Sequence, residues 1–289
     1  MGRRFCLIAN PVSGTRDRRA LVDAVAAGLQ ARGHGVDVCL TTGPGDATTF
    51  AAASDADAVV AIGGDGTVTE VAEGLRGRDV PLGVVPAGTA NVLARELRLP
   101  WDAARAVDAF DAGRERRLDT GVCNGRRFLL MIGAGLDGAV THAHTRAASG
   151  HNSYLRYVRP VWQTVREMPL APLRVTVDGE SMPEGVTSVV VGNVRGFGGV
   201  FEATSGARPD DGVFDVIGLT GRGRLRWTAY LVAALLRQLR RMPGTHSRRG
   251  TRIAIEGDRP IPMQRDGDPF GFTPADIAIE PGALRVIVP

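Results

Sequence analysis

The sequence has no lysine; all 35 of its basic residues are arginine. A phosphate or an anionic surface must therefore be met by guanidinium groups or by backbone N–H groups. The lysine-bearing loop G-x-x-x-x-G-K-[ST] is excluded outright. Cysteine is scarce: Cys6, Cys39 and Cys123 lie apart in apolar, strand-like stretches, with no C-x-x-C pair. No disulfide framework can be built from them, which fits a reducing, cytoplasmic location. Long apolar runs are also missing. The longest, Phe128 to Leu136, has nine residues and two glycines, against the ~18 needed to cross a bilayer. A soluble or peripheral protein is expected. Met1-Gly2-Arg3-Arg4 leads straight into a short strand that Asn10-Pro11 stops, too early for a secretory signal core. There is no low-complexity tail and no internal repeat.

The 289 residues, 44% apolar and 23% charged with a net charge of +4, suffice for one large or two ordinary domains. Strands and helices alternate in the first part. Strands are expected at Phe5 to Ala9, Val36 to Leu40, Ala58 to Ile62 and Leu82 to Val85. Helices are expected at Arg18 to Ala31, Asp46 to Ala53, Val68 to Leu75 and Asn91 to Leu97. Such βα alternation implies a mostly parallel α/β sheet, with ligands at the carboxyl ends of its strands.

From about Arg117 strands dominate: Phe128 to Ile132, Arg174 to Val177, Thr187 to Val191, Val213 to Leu219 and Arg252 to Ile255. Asp178-Gly179 reads as a hairpin turn. Helices are expected near Ser153 to Glu167 and Leu225 to Met242. The domains read as residues 1–117, α/β; residues 118–275, antiparallel and β-rich; and residues 276–289, a terminal segment whose strand Leu284 to Val288 is left free to rejoin the first domain.

Gly63-Gly64-Asp65-Gly66-Thr67 follows a strand and opens a helix. Three glycines in four positions let backbone approach a ligand closely, and a helix start points N–H groups at an anion. Asp65 would repel a bare phosphate, and makes sense beside a bridging divalent cation. A second loop, Pro86 to Asn91, brings Gly88, the Thr89 hydroxyl and Asn91 as a helix cap. A third, Asn10-Pro11-Val12-Ser13-Gly14, follows the first strand and is neither a Walker loop nor a dinucleotide fingerprint. Paired carboxylates occur later, in Arg208-Pro209-Asp210-Asp211-Gly212-Val213 and in Gln264-Arg265-Asp266-Gly267-Asp268; each also suits a solvated turn. His142 and His144, two apart, suit one face of a strand. With only His34, His151 and His246 besides, no metal site is assigned to histidine.

Taken in order, these motifs resemble the diacylglycerol kinase catalytic family in its small bacterial form. Asn10 to Gly14 resembles the first nucleotide loop, and Thr41 with Gly45-Asp46-Ala47 the next contact. Gly63 to Glu70 resembles the signature, Pro86 to Asn91 the P-x-G-T-x-N loop, and Gly133 to Asp137 the G-x-G-[LF]-D stretch. Gly192-Asn193 and Asp211-Gly212-Val213 also fall in place. The resemblance implies an ATP-binding α/β domain, a β-rich lipid-binding domain and a cleft between them. It implies ATP held by Asn10, Pro11, Val12, Ser13 and Gly14, by Thr41, by Gly63, Gly64, Asp65, Gly66, Thr67, Val68 and Thr69, and by Gly88, Thr89 and Asn91.

It further implies Mg²⁺ at Asp211 with main-chain oxygens near Arg208 and Val213. The proton acceptor that ends the family's D-G-E motif is here Asp268, one methylene shorter, with Asp266 as second candidate and Asp65 as a further catalytic carboxylate. Arg16, Arg18 and Arg19 stand where the family often has lysine, and Thr204 where it has proline.

The implied reaction is transfer of the ATP γ-phosphoryl to a lipid hydroxyl, with diacylglycerol as the default acceptor. Partners expected are the lipid and, transiently, the inner face of the membrane, with a homodimer left open and no nucleic acid. Leu225, Trp227, Tyr230, Leu231, Ala234, Leu235 and Leu239 form an apolar helix face flanked by arginines, suited either to an anionic membrane or to a core with snorkelling side chains. Two alternatives stand beside this reading. An NAD kinase shares the Gly-Gly-Asp-Gly-Thr turn, but its downstream Asn-Glu pair is absent. A catalytically weak lipid-binding or regulatory protein would fit the shortened Asp268.

Overall fold

A computed structural model describes residues 2–11, 18–147, 171–197, 201–221 and 223–289. Val12, Ser13, Gly14 and the helix expected over Ser153 to Glu167 lie outside the described residues. The chain divides into two units, residues 1–119 with 282–289, and residues 120–281.

The first unit runs β1 (Arg4–Ala9), α1 (Arg19–Gln30), β2 (Gly35–Leu40), α2 (Asp46–Ala53), β3 (Ala58–Gly63), α3 (Asp65–Gly74), β4 (Leu82–Pro86), α4 (Val92–Glu96) and α5 (Ala103–Ala112). Its strands are parallel in the order β2-β1-β3-β4. Every residue of β3, Ala-Val-Val-Ala-Ile-Gly, is buried, as expected for a strand covered on both faces. Helix α1 buries Val22, Val25 and Leu29 at helical spacing, in one core with Ala106, Val107 and Phe110 of α5. The α5 helix was not anticipated. Its signals are local: Asp102 accepts the Arg105 N–H at 2.9 Å, and Gly113 closes it at φ 63°. Helix α3 starts at Asp65 rather than Val68, so the glycine turn is shorter than expected and Asp65 is helical.

Strand β5 (Glu115–Cys123) carries the chain into the second unit. There follow β6 (Arg126–Phe128), β7 (Met131–Ala134), α6 (Leu136–Ala147), β8 (Leu173–Val177), β9 (Glu180–Ser181), β10 (Val186–Gly192), β11 (Gly196–Phe197), β12 (Phe201–Glu202), β13 (Phe214–Thr220), α7 (Arg224–Leu235), β14 (Thr245–Gly250), β15 (Arg252–Gly257), β16 (Pro262–Arg265), β17 (Asp268–Phe272) and β18 (Ala275–Ile287). Antiparallel β14-β13-β10-β7-β16-β17 form one sheet. Strand β15 pairs antiparallel with β8 and with the start of β18. Asp178 and Gly179, at φ 49° and 87°, make the expected hairpin turn between β8 and β9. The core stacks Phe128 on Phe214, ring centroids 5.5 Å apart, amid the valines of β8 and β10. The end of β18 returns to the first unit, where Val286 pairs with Leu82 of β4 in parallel.

Three expectations are corrected here. The single strand Phe128 to Ile132 is two, β6 and β7, because Leu129 and Leu130 turn around the carboxylate of Asp266. His142 and His144 lie on helix α6, not on a strand; His142 Nε2 is 3.0 Å from the Met263 carbonyl. The helix Leu225 to Met242 stops at Leu235. Arg237 adopts left-handed φ 58°, and a short 3₁₀ turn, Leu239–Arg241, follows. On α7, Trp227, Tyr230 and Ala234 are buried, whereas Leu225, Leu235 and, just past its end, Leu236 are exposed.

Candidate active site

The four loops that follow β1 to β4 share one edge of the parallel sheet and are tied to one another. The Asn10 N–H donates to the Ile62 carbonyl at 3.1 Å, and the Thr41 N–H to the Ala9 carbonyl at 2.9 Å. Ala87 N–H donates to Gly63 at 2.8 Å. Asp65 Oδ1 accepts the Leu93 N–H of α4 at 3.3 Å, joining the glycine turn to the next helix. Glu70 Oε1 accepts the Gly45 N–H at 3.1 Å. The loop after β2 is closed by Asp46, which accepts from Thr42 and Gly43; these hydrogen bonds hold its carboxyl below the ordinary range.

Close approach explains one glycine in particular. A Cβ on Gly88 would lie 2.5 Å from the Gly64 Cα. The glycine turn and the P-x-G-T-x-N loop therefore touch backbone to backbone. Asn91 occupies the helix-cap position, yet its side chain does not cap α4. It closes its own loop, accepting from Gly88 N–H at 3.0 Å and donating to the Gly88 carbonyl at 2.7 Å. Gly66, in the first turn of α3, and Thr89, in its loop, are exposed, whereas Thr67, Val68 and Thr69 are buried in the packing of α3. Gly63 to Gly66, Gly88, Thr89, Asn10 and Thr41 thus share one rim; Val68 is part of the core beneath it.

In the second unit, Asp266 and Asp268 have different environments. Asp266 accepts three main-chain N–H groups, from Leu129 at 2.9 Å, Leu130 at 2.8 Å and Met131 at 2.9 Å. A carboxylate so engaged is an anchor for backbone and a poor proton acceptor. Asp268, two residues on, opens β17 and is exposed. Asp137 and Gln264 stand behind this turn: Gln264 Nε2 donates to Asp137 Oδ2 at 2.7 Å. The surroundings of the Asp137 carboxyl withhold water and push it up to about 7, with the Gln264 hydrogen bond pulling the other way. Asp137 ends the Gly133 to Asp137 stretch, and its partner lies 127 residues away, so no local signal marks the pair.

Asp211 was expected to hold Mg²⁺ with Arg208 and Val213. Its carboxylate is ion-paired with Arg249 and accepts the Val213 N–H at 3.4 Å. Arg249 Nε is also 3.7 Å from fully buried Asp215, which Arg240 meets at 3.1 Å. One guanidinium is thus bracketed by two carboxylates. As arranged, these residues do not fit a Mg²⁺ ion at Asp211, since the arginine already supplies the positive charge. Among the described residues no group of three or more His, Cys, Asp or Glu could hold a metal.

Residues 4–123 match the diacylglycerol kinase catalytic domain, and residues 130–288 the YegS C-terminal NAD kinase beta sandwich-like domain. A diacylglycerol kinase of Mycobacterium tuberculosis is 30% identical over 98% of this chain and 94% of its own length.

The chain belongs to the diacylglycerol kinase family.

A crystal structure of a diacylglycerol kinase from Bacillus anthracis shares the fold, with a TM-score of 0.77 at 24% identity over 99% of this chain and 97% of that one. A longer Synechocystis protein is 25% identical over 236 residues, and the chain spans 54% of it. As a family member the chain is a lipid kinase, a phosphotransferase with ATP as donor and an alcohol as acceptor. Among the described residues no helix is long and apolar enough to cross a membrane.

Proposed function

We propose that the chain phosphorylates the free hydroxyl of diacylglycerol, giving phosphatidic acid and ADP. The observation that carries the mechanism is the division of labour between two aspartates. Asp266 is occupied by three N–H groups and holds the turn, and exposed Asp268 is the proton acceptor in this reading. The hydroxyl oxygen bonds to the γ-phosphorus as the bond from that phosphorus to the β,γ-bridging oxygen breaks. The hydroxyl proton passes to Asp268, and the electron pair leaves on ADP. A loose transition state needs little proton transfer early, so a carboxylate of ordinary basicity suffices if it is well placed.

Backbone N–H groups and hydroxyls at the rim, from Asn10, Thr41, Gly63 to Gly66, and Gly88 to Thr89, bind the nucleotide in this reading. In a chain without lysine they take the role of the ammonium found in many phosphate loops. Asp65 is the carboxylate of the glycine turn. In this reading its carboxylate meets the Mg²⁺ that accompanies ATP, which neutralises phosphate charge.

The acceptor lipid resides in a membrane, and α7 supports contact with one. Leu225, at 90% exposed, and Leu236, at 63%, lie opposite the anchored Trp227 and Tyr230. No acidic residue occurs between Asp215 and Glu256, a stretch containing Arg226 and Arg241, while its Arg237 is ion-paired with Glu202 at 3.2 Å. Such a surface suits anionic lipid.

The test is incubation of the purified chain with labelled ATP, Mg²⁺ and a panel of diacylglycerol, sphingoid base, ceramide and phosphatidylglycerol, with products identified by mass. Labelled phosphatidic acid is expected. Label appearing only in another lipid would replace the acceptor and leave the reaction class intact.

A further inference from the structure

We propose that Asp137, acting through Gln264, is a positioning residue that holds the Asp266–Asp268 turn in place for phosphoryl transfer. The proposal rests on the reading of Asp268 as proton acceptor. Gln264 is completely buried and uses both ends of its amide. Nε2 donates to Asp137 Oδ2 at 2.7 Å, and Oε1 accepts the Gly267 N–H at 2.7 Å. A carboxylate accepts and an N–H donates, so the two partners together fix which way the amide faces. The turn they hold has two consecutive left-handed residues, Asp266 at φ 51° and Gly267 at φ 93°. It joins Arg265 directly to Asp268, which are paired across β16 and β17. Displacing the Gly267 N–H therefore moves Asp268.

The glycines of Gly133-Ala134-Gly135-Leu136-Asp137-Gly138 serve this arrangement. Gly133 is opposite Gln264 across β7 and β16. A Cβ there would collide with Asp137 Oδ2 and lie 2.9 Å from Gln264 Nε2. A Cβ on Gly138 would strike the Pro262 carbonyl oxygen, so α6 lies directly on β16. The stretch has the spacing of a dinucleotide fingerprint after a strand and before a helix. Here the space left by Gly133 admits the Asp137–Gln264 pair. A carboxylate hydrogen-bonded inside the second unit, far in sequence from the turn it serves, is otherwise unexplained.

The experiment uses the full chain as Asp137→Leu, Asp137→Asn, Gln264→Met and Asp268→Ala. Two quantities are read: amide hydrogen exchange at Gly267, and kcat and KM with labelled ATP and lipid. Asp137→Leu should speed Gly267 exchange and lower kcat about tenfold each, with KM for ATP unchanged. Asp137→Asn retains an acceptor for Gln264 Nε2 and should restore both. Gln264→Met makes the same cut at the other partner, should Asp137→Leu fail to fold. Unchanged Gly267 exchange in a folded Asp137→Leu or Gln264→Met overturns the relay. Faster exchange with unaltered kcat overturns the positioning role. Full turnover by Asp268→Ala overturns the assignment of the base instead, so the two failures are distinguishable.

Discussion

Asp266 Oδ1 lies 2.8 Å from the main-chain nitrogen of Leu130 and accepts its hydrogen, across 136 residues of sequence. With the bonds from Leu129 and Met131, this one side chain sets where β6 ends and β7 begins. It separates a structural aspartate from its neighbour Asp268. Asp266→Ala should therefore lower stability, since each buried N–H left unpaired costs roughly 1–3 kcal/mol. A loss in Tm on the order of 10 °C is expected. Asp268→Ala should leave Tm within a degree or two and abolish lipid-dependent turnover. Calorimetry and labelled-ATP assays on the two variants check this. A stable Asp266→Ala with wild-type Tm would remove the anchor from the account.

The contact between Gly88 and Gly64 predicts a nucleotide defect without a lipid defect. Gly88→Ala forces the two loops apart, because the new Cβ would be 2.5 Å from backbone. If this backbone binds the nucleotide as proposed, misplacement on this scale is expected to cost about a hundredfold in kcat/KM for ATP. The KM for lipid should hold. Steady-state kinetics with each substrate varied in turn separates the two.

Asp137 predicts a pH dependence of stability. Its carboxyl titrates near about 7 in the folded chain and near ~3.9 when unfolded. Between these values the folded state binds more protons than the unfolded state. Stability is thus greatest below about 4 from this group, and is lost progressively as pH rises to about 7, levelling off above it. Asp137→Asn cannot ionise and should flatten the fall. Tm of both proteins between pH 5 and pH 8 provides the comparison, and parallel curves would mean that Asp137 titrates normally.

Arg249 predicts how the second unit responds to Mg²⁺. In the intact chain its guanidinium meets Asp211 and Asp215, so millimolar Mg²⁺ without nucleotide should leave Tm unchanged. Arg249→Ala leaves Asp211 without this cation and Asp215 with Arg240 alone. Tm should fall by several degrees, and Mg²⁺ should recover part of the loss by replacing the missing charge. A rise in the intact protein's Tm with Mg²⁺ alone would return a metal to Asp211.

Much of the first unit is legible from local pattern. β3 is apolar at every position, and the glycines that follow mark the end of the strand. The signature loops are equally visible because each is a short contiguous segment at a strand end. Helix α5 was missed although Asp102 and Gly113 mark its ends. Half of its core face is alanine, Ala106 and Ala109 beside Val107 and Phe110, which weakens the apolar period. The break in α7 had no breaker residue: Arg237 takes a left-handed conformation without being glycine, a choice made by packing of Leu239 and Trp227 into one cluster.

The sequence by itself determined the fold class, the glycine-bearing loops at the strand ends and the family, because these depend on periodicity and on contiguous residues whose chemistry is local. Only the tertiary structure decided which aspartate anchors and which is exposed, that Arg249 meets Asp211, and that Asp137 reaches Gln264. Each of those outcomes depends on hydrogen bonds or ion pairs between groups remote in sequence. A carboxylate's role is set by what surrounds it, and its surroundings exist only once the chain has folded.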